Sequence, residues 1–157
     1  AAIFFTLDDV ECKSLLDRIN INHKDKTIQP YDFKTGAEKN FMNNFWNFKY
    51  YYQASLYSIG LSKIIQGTEF SDYKILPFKF IHISREDPYN PLIYSISKNF
   101  IDMAYYGWKS NSGYRYKGLK ELLDDYLWYT MNGCNELRSI FENNGVINIE
   151  DPVEVNE

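Results

Sequence analysis

The hydrophobic period changes at Gly36, and that change restricts the available folds more than any other feature of the chain. Before it, Val10 to Ile21 reads as a strand, Asn22-His23-Lys24-Asp25-Lys26 as a turn, and Thr27 to Thr35 as a returning strand. Together they make a hairpin. After it, Phe41, Phe45, Phe48, Tyr52, Leu56 and Ile59 recur at intervals of three and four. That spacing predicts a helix from Ala37 to about Ile59 with one apolar stripe. Gly60 is the expected stop, with Leu61 to Gln66 as an alternative extension. Ala1 to Phe5 looks like the start of another strand. Further on, Tyr73 to Ser84 and Leu92 to Ser97 are strand-like around a turn-rich loop from Arg85 to Pro91. Two more helices are expected, over Lys98 to Tyr106 and Lys117 to Phe141. Strand, strand, helix, strand, strand, helices is an order that suits helices packed on a mixed sheet, an α/β (α+β) fold.

Size and composition set the outer bounds. The chain has 157 residues and no repeat or linker, so one domain over residues 1–142 is expected, followed by an acidic tail from 143 to 157. No apolar run approaches the ~20 residues that cross a bilayer, and the first residues lack the basic flank of a signal peptide. No membrane association is expected. The two cysteines, Cys12 and Cys134, are too few for a zinc or iron–sulfur motif. A disulfide between them is one reading; a reduced pair in a cytoplasmic protein is the preferred one. The net charge of −4 disfavours a nucleic-acid binder. A bound cation or a locally basic face would offset it. The aromatic content, 18% with 14 tyrosines, accompanies much Ile, Lys and Asn. A+T-rich coding accounts for that bias, so the tyrosines as a class carry no functional weight.

The first hairpin carries the chemistry. If its loop is centred between Lys24 and Asp25, Asp17 faces Asp32. Side chains alternate along a strand, so Leu15, Asp17, Ile19 and Ile21 would share one face, and Ile28, Pro30, Asp32 and Lys34 the matching one. Two carboxylates and an amine would then lie among aliphatic residues. Like charges across a ladder repel, and an unpaired buried carboxylate is costly. A hard divalent cation between the two acids would resolve the conflict, since Mg²⁺ takes oxygen ligands and retains waters. Lys34 could orient or help deprotonate a water. The competing reading is an ordinary salt bridge from Asp17 to Arg18 or Lys34. The register decides between them, because a slip of one residue sends an acid to the other face.

On the long helix, Gln53 and Tyr57 are four residues apart and share a face, in a row with Trp46 and Tyr50. Gln53 could position a phosphate, a base or a water, and Tyr57 could add a hydroxyl. His23 falls in the predicted turn and His82 in a strand; a surface and a packed histidine are the readings for them. No phosphate-cradling glycine loop is present.

Three segments in order, Leu16-Asp17-Arg18-Ile19, Tyr31-Asp32-Phe33-Lys34-Thr35-Gly36 and Gln53-Ala54-Ser55-Leu56-Tyr57, resemble the PD-(D/E)XK nuclease superfamily. The branch they look like is that of RecB-type and phage recombination exonucleases, including the RecE-like group. The resemblance covers about Glu11 to Gly60. It implies a restriction-endonuclease-like mixed β-sheet flanked by helices, and a Mg²⁺-dependent DNA exonuclease of phage or bacterial recombination and repair. Mn²⁺ would substitute for Mg²⁺. Asp17 and Asp32 would hold the metal, with the backbone carbonyl of Phe33 as a further ligand, and Lys34 would assist the attacking water. Arg18, Thr35, Gln53 and Tyr57 would support the site or contact DNA. The implied partners are linear double-stranded DNA ends, further copies of the chain in a homo-oligomer, and a single-strand annealing protein. Members of this branch carry a helical segment before the first strand, with a Glu or His that completes the site. Here the chain begins in or near a strand, so a domain lacking that segment is expected, with Glu11 as the candidate substitute. The alternative function is a catalytically inactive nuclease-fold module that binds DNA or protein.

Overall fold

The computed structural model describes residues 1–37, 41–133 and 142. Strands β1 (Ala2–Leu7) and β2 (Val10–Leu15) form a two-stranded antiparallel ribbon. Asp8 and Asp9 join them with positive φ at both positions, which suits a tight two-residue hairpin. Strands β3 (Arg18–Asn22) and β4 (Thr27–Gly36) form the next hairpin. Asn22 closes its turn by accepting from the Asp25 amide at 3.1 Å. The expected single strand from Val10 to Ile21 is therefore two strands in different sheets. The chain breaks at Leu16–Asp17, where Leu16 turns into the core and Leu15 is exposed.

β4 is the centre of the larger sheet. It runs antiparallel to β3 and parallel to β5 (Lys74–Ile75) and β6 (Phe78–Ser84), while β7 (Leu92–Ile96) pairs antiparallel with β6. Between β5 and β6 the pairing to β4 slips by one residue. The slip accommodates Pro30, which cannot donate to a ladder. The buried Gln29 spans it, donating to the Pro77 carbonyl at 2.7 Å.

Parallel strands need a crossover, and α1 (Phe41–Asn47) and α2 (Tyr50–Ile64) supply it. The expected unbroken helix and single stripe are corrected here. Lys49 adopts the left-handed conformation, φ 53°, and shifts the phase of everything after it. Phe41 and Phe45 are buried as expected, but Phe48 is exposed, and the buried face of α2 is Tyr51, Ala54, Ser55 and Leu61. Gly60 does not end α2. A side chain there would run into the Phe5 ring, so glycine lets the β1–β2 ribbon approach the helix closely.

α3 (Lys98–Tyr106) packs on α2 and is capped by Ser97, whose hydroxyl accepts from the Phe100 amide. A small hairpin of β8 (Trp108–Lys109) and β9 (Arg115–Tyr116) follows, then α4 (Leu119–Asn132). The chain divides into two compact units, Ala1–Leu123 and Asp124–Glu157. In the second, the Thr130 and Asn132 side chains each bond a carbonyl four residues back along the helix. The expected acidic tail and Cys134 lie outside the described residues; Cys12 is a free thiol. Among the described residues no helix is long and apolar enough to cross a membrane. The architecture is a mixed sheet with helices, the restriction-endonuclease-like fold.

Candidate active site

The observed β3–β4 register pairs Arg18 with Tyr31 and Ile21 with Ile28, as the centred loop predicts. Asp17 stands one residue before β3, at the place that register sets opposite Asp32. Its carboxylate is exposed and accepts from the Phe33 amide at 2.8 Å. Pairing with β3 ends at Arg18, and a residue's N–H and C=O leave a strand on the same side. The Phe33 carbonyl therefore faces the same edge as Asp17.

Asp32 belongs to the opposite environment. Together with Ile28 and Pro30 it lies on the helix-facing side of β4, and only 4% of it is accessible. Gln53 on α2 donates to its Oδ1 at 2.7 Å. The Lys34 ammonium lies 2.8 Å from Oδ2. The ammonium therefore meets the charge on the buried Oδ2 directly. Lys34 itself is oriented by Gln53, donating to its Oε1 at 2.8 Å. Its Nζ also sits over the Tyr50 ring, 4.4 Å from the centroid, and 5.6 Å from that of Phe80. Gln53 thus donates to the acid and accepts from the base. One amide fixes both.

Burial pushes the Asp32 carboxyl above its usual range. The Lys34 ammonium and the Gln53 amide pull it down, and the charge on Asp17 adds to the rise. Loss of hydration outweighs the partners. A carboxylate in that balance is poised to gain from a cation. Asp32 Oδ2, the Asp17 carboxylate and the Phe33 carbonyl are the oxygens that could serve as ligands to a hard divalent cation such as Mg²⁺ or Mn²⁺. Among the described residues no group of three or more His, Cys, Asp and Glu side chains converges as a metal site.

Other residues singled out in the sequence lie elsewhere. Arg18 bonds Asn20 on its own strand at 2.8 Å. Thr35 is exposed and alternates to the sheet face away from Lys34. Tyr57 packs its ring on Phe78, 6.1 Å between centroids, between the two hydrophobic clusters of the core. Glu11 pairs with Thr6 in the β1–β2 ribbon.

Tyr50 was visible in the sequence only as a member of a row, and its place under Lys34 was not. His82, read as packed, is 2% accessible and pairs in register with Lys34. Among the described residues, neither of its ring nitrogens has a hydrogen-bond partner. Its Nε2 lies 3.6 Å from where a side chain at Gly36 would begin. Both placements follow from the parallel β4–β6 pairing, which no local motif announces. A cavity of about 370 Å³ lined by Ile75, Phe78, Ile96 and Ile101 shares no residue with this cluster.

No family model and no curated protein matches the sequence. Among solved structures, the chain is similar to one described as "Putative exonuclease" from Eubacterium rectale, with a TM-score of 0.54 and 13% identity. The match covers 99% of this chain and 54% of that one, so this chain spans about half the length of its structural neighbour. At that identity the likeness is one of fold.

Proposed function

We propose that this domain is a divalent-cation-dependent DNA nuclease of exonuclease type, hydrolysing phosphodiester bonds. The observation that carries the reading is Asp32. A carboxylate this buried is costly in a purely structural protein even with an ammonium 2.8 Å away, and burial still raises its affinity for a proton. It becomes useful if a cation completes it. The exonuclease description of the structural neighbour supports the same reading at the level of fold.

Asp17, Asp32 and the Phe33 carbonyl would hold Mg²⁺ or Mn²⁺, which supplies Lewis-acid polarisation of a phosphoryl oxygen. Lys34 has a different task. Gln53 and the Tyr50 ring fix its stem and head, so its ammonium can orient an attacking water and stabilise charge developing on the phosphate. The water oxygen bonds to phosphorus, an ester P–O bond breaks, and the departing oxygen takes a proton. Two acids near a polyanion would otherwise repel it, so DNA binding at the site should itself depend on the cation.

The test is digestion of linear double-stranded DNA with Mg²⁺ or Mn²⁺ by the wild type and Asp32→Ala. Wild-type cleavage is expected to need the metal. The variant should lose activity on the order of 10²–10³-fold. Added Mn²⁺ should raise the melting temperature of the wild type and leave Asp32→Ala unmoved. A wild type that is stabilised by Mn²⁺ yet cuts no DNA would instead identify a silent module.

A further inference from the structure

We infer that Phe48 is a base-stacking residue that holds one unpaired nucleobase beside the Asp32–Lys34 cluster, so that the site selects single-stranded or frayed DNA ends. This rests on the nuclease reading above and deepens it to a substrate class.

A lone exposed aromatic needs no explanation, but Phe48 is not simply exposed. It follows the last turn of α1, its amide bonded to the Asn44 carbonyl at 2.8 Å. Lys49 then adopts φ 53° and ψ 45°, a conformation that a residue with a side chain rarely holds. That turn takes Phe48 out of the apolar stripe its spacing predicts and leaves it 66% accessible. Its ring neighbours that of Tyr50 on one side, at 5.9 Å between centroids and 29° between planes. Tyr50 lies in turn at 5.7 Å and 32° to Phe80, which is fully buried.

Three rings, tilted by 29° and 32° from one to the next, therefore run from the core to solvent, and the Lys34 ammonium lies against the inner two. The outermost ring is Phe48, one ring removed from the amine's own aromatic neighbour. A nucleobase laid on the exposed side of that ring would be the fourth member of the series. Stacking of this kind tolerates any base, because every base has a π-face. It requires the base to be free of its own stack, hence an unpaired or frayed end.

The experiment measures binding of a short single-stranded oligonucleotide, with fluorescent aminopurine placed at successive positions, in Ca²⁺ so that cleavage does not intervene. Phe48→Ala is expected to weaken binding roughly 5- to 100-fold, the span of base–aromatic stacking. It should also abolish aminopurine quenching at one position along the strand, while Phe48→Trp retains both. Affinity for a blunt duplex should fall less. An unchanged melting temperature for Phe48→Ala confirms the fold, as an exposed side chain allows. If wild type cuts DNA and Phe48→Ala binds and cuts single strands equally well, the stacking role is wrong and the nuclease reading stands. If wild type neither binds nor cuts DNA, the nuclease reading falls and this inference with it.

Discussion

β4 and α2 meet at two ends that are built in opposite ways. At one end, Ile28 from β4 meets Leu61 from α2 and Ile65 just beyond it, together with Ile3 and Leu16. At the other, Asp32 and Lys34 from β4 meet Gln53 and Tyr50 from α2, above the aromatic cluster of Phe41, Phe45, Tyr51 and Phe80. The aliphatic end gains stability from burial that has no direction. The polar end depends on three side chains whose bonds must all be present, because a half-satisfied buried network is worse than none. The pair of elements is thus held by aliphatic burial at one end and by a polar network at the other. Rigid backbone at the aliphatic end is what allows a costly constellation to hold its geometry.

The contrast predicts that the two ends can be damaged separately. The largest effect on stability should come from Leu61→Ala. Leu61 is 3% accessible, and its truncation in a packed cluster should cost about 2–5 kcal/mol. Urea denaturation measures that loss. Cleavage per folded molecule should be unchanged, and a fall in it would show that the two ends are not independent.

How much of this was legible beforehand follows the same division. The β3–β4 hairpin and its register were readable because each is set by neighbours in sequence, a polar turn and alternation, and α3 was expected over Lys98 to Tyr106, where it lies. The Asp32–Lys34 pairing on one face followed from alternation alone. The break at Leu16–Asp17 was not readable, since Leu15 and Leu16 are equally apolar and only the β1–β2 ribbon decides which one turns inward. Nor was the break at Lys49. Lysine gives no signal of a left-handed backbone, and the spacing of Phe48 to Ile59 continues the stripe past it. The roles of Tyr50 and His82 depend on α2 and β6 reaching β4 through a crossover, so they needed coordinates. Gln53 was named for its chemistry, but that it bridges acid and amine was beyond what spacing can say.

A smaller effect, at the polar end, should follow Gln53→Ala. It strips the directed donor from Asp32 Oδ1 and the acceptor from Lys34, at a cost of about 1–3 kcal/mol. Residues 53 and 61 are separated by eight positions of α2, about 12 Å along a helix. Substitutions that far apart should add within about 0.5 kcal/mol. A double variant, Gln53→Ala with Leu61→Ala, measures this by denaturation. Marked non-additivity would mean that the helix transmits strain between its ends, and the comparison would have to be redrawn as one coupled core.

The smallest effect is one of slope. In metal-free protein, burial holds the Asp32 carboxyl above its ordinary value of 3.8, so the folded chain keeps this proton more tightly than the unfolded chain does. As pH rises from the ordinary value through the raised one, the folded state binds the excess proton and stability falls with pH. Below that window the carboxyl is neutral in both states and the penalty is absent. Asp32→Asn is neutral at every pH, so its stability curve should lack this part of the decline. Leu61→Ala titrates like wild type and should give a parallel curve displaced downward. Melting temperatures across mildly acidic to neutral pH, in chelator, read the difference. A wild-type slope matching that of Asp32→Asn would mean that Lys34 and Gln53 fully offset the lost hydration. The polar end would then hold no unmet demand for a cation, and it would differ from the aliphatic end in composition only.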